Sequence, residues 1–253
     1  MKKLSAIIPT LLKDRNILNR LINNLVNDDS VEEIIVINNS KEDFYYDNPK
    51  LKIISKGENL FVNPSWNLGV REAKYEYVSL INDDIILPEN FCSAVLDKMD
   101  EKSGIIGMDN DFVINLRDEN NNMKEIPQNA PILSDNIYLK QTNYRKKSFG
   151  IIMFFKKDVY KPILEDLKIF FGDDWIVHFA NKLRKKSATI CGQEIIHCGS
   201  LSSSSFSDLA KRENKIYKSN IFPWYKRIFN IYRRDTHIGV YILFINFSIR
   251  CGK

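Results

Sequence analysis

The amino-acid sequence predicts an α/β fold, in which a mainly parallel sheet is flanked by helices on both faces and is followed by a C-terminal helical extension. Short apolar runs alternate with helix-like stretches along the first third of the chain, in the order strand, helix, strand, strand, helix, strand. Polar clusters directly follow three of these strands. The chain has 253 residues and is 44% hydrophobic, which is enough to build one large core.

Four strands and three helices are predicted in this first part. Apolar runs define the strands, and Asp14 and Pro64 are residue types that favour the start of a helix. In the first helix, leucines and isoleucines recur on one face. The predicted strands are Leu4–Pro9, Glu33–Ile37, Leu51–Ser55 and Tyr77–Ile81, and the predicted helices are Asp14–Asn27, Pro64–Lys74 and Pro88 to about Asp100.

The polar clusters lie at Thr10, at Asn38–Ser40 and at Asn82–Asp84, each at the end of a predicted strand. In open parallel sheets, ligands bind outside the carboxyl ends of the strands. We therefore expect these clusters to meet at one rim of the sheet and to form a ligand site there.

The remainder of the main domain is less regular. Residues 109–147 are polar and rich in Asn, and we expect loops and short strands at the sheet edge. A buried strand is predicted at Ser148–Phe155, a helix at Asp173–Lys186 and a short strand at Glu194–His197. The stretch Ser200–Ser205 suits either a lid that closes over a bound ligand or a linker without function.

Two neighbouring carboxylates, Asp83 and Asp84, follow the strand that ends at Ile81, with the amide of Asn82 beside them. Such carboxylates repel each other unless a cation or a hydrogen-bond donor neutralises them. Mg²⁺ takes oxygen ligands and shares them with phosphates, and Mn²⁺ has similar preferences. The alternative interpretation is a solvated acidic turn that caps the helix at Pro88.

A second sequence pattern is a series of short segments spread over about residues 4–205. They are Ser5–Thr10, Glu33–Ser40, Asn59–Gly69, Tyr77–Asp84, Gly150–Phe155, Gly172–Trp175 and Ile196–His197 followed by serines. In this order they resemble the inverting family 2 glycosyltransferases, which have the GT-A fold. The resemblance implies that residues 1–108 are the nucleotide-sugar-binding half of one domain, that residues 109–205 are its acceptor-binding half, and that residues 206–253 form a basic, aromatic helical tail.

For the donor, the resemblance implies a nucleoside-diphosphate sugar held by the first half of the domain. Pro9 and Thr10, together with Asn38, would line the nucleobase pocket. Asp83 would hold the donor ribose, and Asp84 would bind the Mn²⁺ or Mg²⁺ ion that bridges the diphosphate.

Three departures from the family's pattern affect this donor site. Asn82 stands in place of the first acid of the usual Asp-x-Asp, so the motif is only DxD-like; it would reach a ribose hydroxyl or a metal-bound water. Asn38 replaces a customary acid, which leaves uracil, thymine and guanine open as the base. Ser65-Trp66 precedes the donor-site residue Asn67, where the family often has an arginine. Neutralisation of the diphosphate would therefore rest more on the metal, or on a nearby cation such as Lys56 or Arg71.

The motif Gly172-Asp173-Asp174-Trp175 resembles the family's acidic base motif and implies Asp174 as the general base, with Asp173 as its substitute. Inverting transfer needs a carboxylate that accepts the proton of an acceptor hydroxyl, while that hydroxyl attacks the anomeric carbon opposite the leaving diphosphate. The alternative role is N-capping of a helix, which stabilises by about 0.5–2 kcal/mol.

His197 has two interpretations. The resemblance implies a further metal ligand or a contact to the diphosphate, whereas an isolated histidine at a strand end is often a hydrogen-bonded structural residue.

The basic tail gives the chain an uneven charge. The total is +5, but residues 210–253 carry ten Lys and Arg against two acids, a net +8, which leaves −3 for the rest. Basic aromatic helices suit peripheral contact with an anionic membrane and a lipid-linked acceptor, or packing on the main domain with solvated lysines. No nucleic-acid-binding motif accompanies these residues, so nucleic acid is not an expected partner.

The expected location is the cytoplasm, peripheral to the inner face of a membrane if the tail makes that contact. The four cysteines show no disulfide pattern, and the sequence contains neither an apolar signal core nor an apolar run long enough to span a bilayer.

The leading prediction is an inverting glycosyltransferase that moves a sugar to a hydroxyl of a glycan or lipid-linked glycan, as in polysaccharide biosynthesis. The alternative is a catalytically silent module that binds nucleotide sugars or glycans, which the amides at Asn38 and Asn82 favour. A sugar-phosphate nucleotidyltransferase would need a glycine-rich phosphate loop after the first strand, and Thr10-Leu11-Leu12-Lys13 is not one.

Overall fold

The structure of the protein, a computed structural model, describes residues 2–118, 122–199 and 206–221. The elements up to residue 108 are β1 (Leu4–Thr10), α1 (Arg15–Asn27), β2 (Val31–Asn38), β3 (Leu51–Ser55), α2 (Val62–Glu72), β4 (Tyr77–Ile81), β5 (Ile85–Ile86), α3 (Phe91–Lys98) and β6 (Ser103–Met108). Those that follow are β7 (Val113–Asn115), β8 (Tyr138–Gln141), β9 (Ile152–Lys156), α4 (Gly172–Lys182), β10 (Lys186–Cys191), β11 (Ile195–His197) and α5 (Ser207–Ile221).

An eight-stranded sheet in the order β3-β2-β1-β4-β9-β6-β10-β8 forms the centre of the fold. The strands β3, β2, β1 and β4 are parallel to one another, and β6 is parallel to β10. Only β9, between β4 and β6, and the edge strand β8 run antiparallel to their neighbours in this sheet. The predicted α/β class with a mainly parallel sheet is therefore confirmed.

Helices cover both faces of this sheet. Because successive side chains of a strand point to opposite faces, Leu4, Ala6 and Ile8 of β1 pack in a cluster with α1 and α3, whereas Ile7 packs in a second cluster with α2 and α4. The apolar side of α5 joins the second cluster through Ile216, Tyr217 and Ile221.

A smaller sheet in the order β5-β11-β7 lies beside the carboxyl end of β4. His197, the last residue of β11, is in register with Ile85 of β5 on one side and with Asn115 of β7 on the other. Asp84 directly precedes β5, so this small sheet brings His197 and Asp84 together.

Most elements of the first half agree with the predictions from sequence. Strands β3 and β4 have the predicted bounds, and the Asp14 carboxylate accepts hydrogen bonds from the backbone N–H groups of Asn16 and Ile17, as an N-cap does.

The predicted strand Ser148–Phe155 is wrong in its first half. Ser148 has a left-handed backbone (φ +63°), a 3₁₀ turn follows at Phe149–Ile151, and the strand begins only at Ile152. The predicted helix Asp173–Lys186 ends four residues early, at Lys182, and β10 begins at Lys186.

The remaining organisational predictions are only partly covered by the structure. Strands from both sides of position 108 share the central sheet, and the division into residues 1–108 and 109–205 stays a prediction. The serine stretch 200–205 lies outside the described residues, as does the tail beyond Ile221. Among the residues that are described, no helix combines the length and the apolar character needed to cross a bilayer.

Candidate functional site

The carboxyl ends of β1 and β4 open onto a cavity of about 450 Å³. The backbone around it is tightly joined: the Asn39 N–H donates to the Thr10 carbonyl (2.8 Å) and the Asn82 N–H to the Ile151 carbonyl (3.0 Å). Predicted donor-site residues form part of the cavity lining, called the donor wall below, namely Pro9, Thr10, Asn82, Asp83 and Asp84.

Asp83 is fixed by Thr10, whose hydroxyl donates a 2.6 Å hydrogen bond to the Asp83 carboxylate. Burial raises the pKa of Asp83 from 3.8 to about 6; the Thr10 hydrogen bond opposes this rise, and the neighbouring charge of Asp84 adds to it. The ionised form of Asp83 is therefore costly, and a hydrogen-bond donor or a cation placed in the cavity would relieve that cost.

Asp84 and His197 face each other across the junction of the two sheets. His197 Nε2 lies 3.5 Å from Asp84 Oδ1, and both side chains are largely buried. The Cys198 N–H donates to the Asp84 carbonyl (2.8 Å), which ties the two strand ends together. On its other side, His197 Nδ1 lies 3.0 Å from Asn115 Oδ1. Because an amide oxygen can only accept, Nδ1 is the donor to Asn115, and Nε2 is the ring nitrogen that faces Asp84.

Asp84 and His197 could bind a metal ion if a diphosphate supplied further ligands. No cluster of three or more His, Cys, Asp or Glu side chains suited to a metal ion occurs in the described part of the chain. Mg²⁺ is commonly held by one or two carboxylates together with substrate phosphates and water. Asp84 and His197 could supply such a partial set, whereas they do not make an all-protein metal site.

A second part of the cavity lining, called the acidic wall below, contains Asp173, in the first turn of α4. Gly150 faces it: a Cβ atom at that position would lie 2.8 Å from Asp173 Oδ2, so glycine leaves room for the carboxylate. Arg145 also lines the cavity, and its Nε lies 3.3 Å from Asp173 Oδ2 and 3.2 Å from Asp174 Oδ2. The two aspartates therefore share one guanidinium.

Burial raises the pKa of Asp173, and the nearby Arg145 charge partly offsets that rise. A raised pKa means a higher proton affinity, which favours the use of this carboxylate as a general base. Asp174 belongs to the same ion pair but is not among the residues that line the cavity.

Two predicted donor-site residues have their side chains engaged elsewhere. The Asn38 carbonyl oxygen accepts hydrogen bonds from Ser40, and its amide donates to the Glu42 carbonyl (2.7 Å). Asn67 binds Ile163 through both ends of its amide and accepts from the Tyr160 hydroxyl. Neither residue lines the cavity, and each stabilises a loop beside it.

Several cavity residues were not singled out from the sequence. Asn39 lines the cavity next to Asn38, and Lys13 and Arg145 bring cations. The signal for Asn39 was present in the polar cluster after β2, whereas Arg145 lies in the irregular region, where no motif marks it. Aromatic side chains also contribute to the wall, namely Phe61, Trp66, Phe170, Phe171 and Phe206.

Comparison with known proteins agrees with this fold. The family model described as glycosyl transferase family 2 matches residues 5–163. The comparison with curated proteins gives no match.

Two solved structures are similar in fold at low sequence identity. S. aureus TarS 1-349 is 16% identical with a TM-score of 0.56, and the alignment covers 83% of this chain and 64% of that one. The mannosyltransferase PcManGT from Pyrobaculum calidifontis, in complex with GDP-Man and Mn²⁺, is 13% identical with a TM-score of 0.52, covering 79% of this chain and 58% of that one. The chain thus spans less than two thirds of each of these structures.

A mainly parallel sheet with a cavity at its strand ends, together with a family match over more than half the chain, defines the class of protein as a GT-A glycosyltransferase. The chain belongs to glycosyl transferase family 2.

Proposed function

We propose that the protein transfers a sugar from a nucleoside-diphosphate sugar to a hydroxyl of a glycan or lipid-linked glycan, with inversion at the anomeric carbon. The observation that carries this proposal is that Asp83 and Asp84 line the same cavity as Asp173. A donor held at the strand ends would have its anomeric carbon in the part of the cavity that the acidic wall lines.

On the donor side, Asp84 and His197 would hold Mn²⁺ or Mg²⁺, and Asp83 would accept a hydrogen bond from the ribose. The bound ion supplies Lewis-acid stabilisation of the charge that grows on the leaving diphosphate. Pro9, Thr10 and Asn82 would complete this wall. Support comes from the position of these residues in the cavity lining and from the 3.5 Å approach of His197 to Asp84.

On the acceptor side, the Asp173–Asp174 pair would supply the general base. The resemblance in the sequence favours Asp174, and a specific observation favours Asp173: it lines the cavity, whereas Asp174 does not. Either carboxylate must be ionised to accept the proton of the acceptor hydroxyl. Arg145 supports this state, because its charge lowers the pKa of Asp173 against the effect of burial.

The acceptor and the location belong to the same proposal. A lipid-linked glycan would be used at the inner face of a membrane, with the protein in the cytoplasm and its basic tail at the membrane surface. The alternative is a module that binds a nucleotide sugar without turnover. It is favoured by the engagement of the Asn38 amide within its own loop, away from a base.

The test combines turnover and binding. The protein is incubated with a panel of nucleotide sugars and Mn²⁺, and release of nucleoside diphosphate is measured beside calorimetry with the diphosphate itself. Asp84→Ala should weaken Mn²⁺-dependent binding. Asp174→Asn and Asp173→Asn should leave binding within about twofold, and the variant that removes the base should lose transfer by about 10²–10⁴-fold.

Asp97→Asn, an exposed change on α3, is the matched control and should alter neither quantity. Tight binding by the wild type without turnover of any donor would support the silent module. Equal loss of diphosphate binding in the Asp84 and Asp173/Asp174 variants would contradict the division into a donor wall and an acidic wall.

A further inference from the structure

Glu213 of α5 is a fully buried carboxylate that the proposed chemistry does not use. It accepts hydrogen bonds from three consecutive backbone N–H groups, those of Lys168 (2.7 Å), Ile169 (3.3 and 3.4 Å) and Phe170 (2.7 Å). A buried carboxylate is tolerated only when it is well paired, and here the partners are the backbone of a single short segment.

That segment leads directly into the acidic wall of the cavity. Ile169, Phe170 and Phe171 line the cavity, and α4 with Asp173 and Asp174 in its first turn begins at Gly172. Phe171 has a left-handed backbone (φ +61°), a conformation that a bulky residue keeps only when the surrounding structure holds it. The conformation at the start of α4 therefore depends on contacts from other elements.

Contacts from two helices, α2 and α5, hold residues 168–171. From α2, the Asn63 N–H donates to the Lys168 carbonyl (2.9 Å) and the Asn63 side-chain amide to the Phe170 carbonyl (3.1 Å). From α5, the Tyr217 ring stacks on the Phe171 ring with centroids 5.2 Å apart, in addition to the Glu213 hydrogen bonds. The N–H groups of residues 168–170 are thus bound by α5, and the carbonyls of Lys168 and Phe170 by α2.

Docking of α5 alone does not require a charge at position 213. The helix already packs through Ile216, Tyr217 and Ile221, and apolar residues in place of a buried charge are often no less stable. A carboxylate, in contrast to an apolar side chain, fixes the position of three N–H groups at once.

We propose that Glu213 is a positioning residue for transfer: by gathering the N–H groups of residues 168–170, it sets where the first turn of α4 presents Asp173 and Asp174. The inference rests on the proposed function, because it assigns to this turn the base of that reaction. The donor wall of the cavity, built from the ends of β1 and β4, does not depend on Glu213.

The test is Glu213→Gln in the full chain, with transfer kinetics and calorimetry of nucleoside diphosphate plus Mn²⁺. The amide keeps the shape of the carboxylate but turns one acceptor into a donor that opposes the N–H groups. We expect kcat to fall by about ten- to a hundredfold, since small misplacement of a reacting group has effects of that size. Diphosphate affinity and the donor KM should stay within about twofold.

Asp208→Asn is the matched control, because it removes one negative charge from an exposed position on the same helix. Amide hydrogen exchange over residues 164–171 supplies a readout that is independent of turnover: it should become faster in Glu213→Gln and stay unchanged in Asp208→Asn. If Glu213→Gln does not fold, Glu213→Asp keeps the charge on a side chain one methylene shorter, and its kcat should fall in the same way.

An unchanged kcat in a folded Glu213 variant, beside a wild type that transfers sugar, would overturn the positioning role alone. A wild type that transfers no sugar from any donor would overturn the proposed function, and the positioning role with it.

Discussion

At the scale of single residues, Asp83 shows a carboxylate whose placement favours binding at the expense of stability. Its pKa is raised from 3.8 to about 6, chiefly by burial. Between these pH values the folded protein retains a proton that the unfolded chain has lost. The native state then binds more protons, so the free energy of unfolding falls as the pH rises through this window and stays reduced above it.

We therefore predict that Asp83→Asn stabilises the metal-free protein at pH 7 by about 1–3 kcal/mol, because it removes the cost of ionising a buried carboxylate. The asparagine oxygen can still accept the Thr10 hydrogen bond. The gain should shrink as the pH falls from about 6 toward 4. Denaturant unfolding of both proteins across this range, in the presence of a chelator, measures it. A difference that does not change with pH would contradict the explanation.

Prediction from the sequence worked best for residues whose role depends on local chain order. Thr10, Asp83 and Asp84 were expected at the rim because each follows a strand, and all three line the cavity. Asn38 occupies the expected place on the chain, but its amide is used within its own turn. The partners of a polar side chain depend on loop geometry, which the spacing of residues along the chain does not reveal.

At the scale of elements, the sequence did not predict two strands of the eight-stranded sheet, β6 and β10, for a physical reason. In β6, Gly104 and Gly107 interrupt the apolar run. Both glycines are required by close packing: a Cβ at Gly107 would lie 2.5 Å from the Phe149 ring, and one at Gly104 would lie 2.8 Å from the Ser187 hydroxyl. β10 mixes polar with apolar residues, although five of its six residues are buried. Tertiary contacts, and not local propensity, define both strands.

The packing of Gly107 in β6 against Phe149 gives a testable prediction, because the turn that begins at Phe149 leads to the acidic wall. The buried Phe149 ring begins the turn that places Gly150 against Asp173. Gly107→Ala should destabilise the protein by about 1–3 kcal/mol, as overpacking of a core does. The cost should be smaller in a Phe149→Leu background, because the shorter side chain gives way. A double-mutant cycle by denaturant unfolding tests this, and equal costs in both backgrounds would rule out the steric cause.

At the scale of the whole molecule, the site exists only because two parts of the chain meet. Apart from His197, the donor wall comes from residues before position 85, and the acidic wall comes from α4, nearly ninety positions later. The two walls are joined through β9, which pairs with β4 and is preceded by the turn at Gly150. The sequence predicted each wall separately from its motif. Arg145 and Glu213, which adjust the acidic wall from distant segments, could not be inferred without the fold.

This arrangement predicts how a donor fragment stabilises the protein. A ligand that binds only the native state at about a hundred times its Kd adds about 2.7 kcal/mol. For a chain of this size, that is a rise in Tm of roughly 5–10 °C. If Asp84 and His197 hold the metal beside the diphosphate, nucleoside diphosphate and Mn²⁺ together should give this rise, and either alone much less. A thermal shift series in the wild type and in Asp84→Ala separates the contributions, with the nucleoside monophosphate as a control that lacks the second phosphate. The same rise in Asp84→Ala, or without Mn²⁺, would show that the diphosphate binds without a metal held by Asp84 and His197. The donor wall would then need a different cation, and Lys13 in the cavity lining is the first candidate.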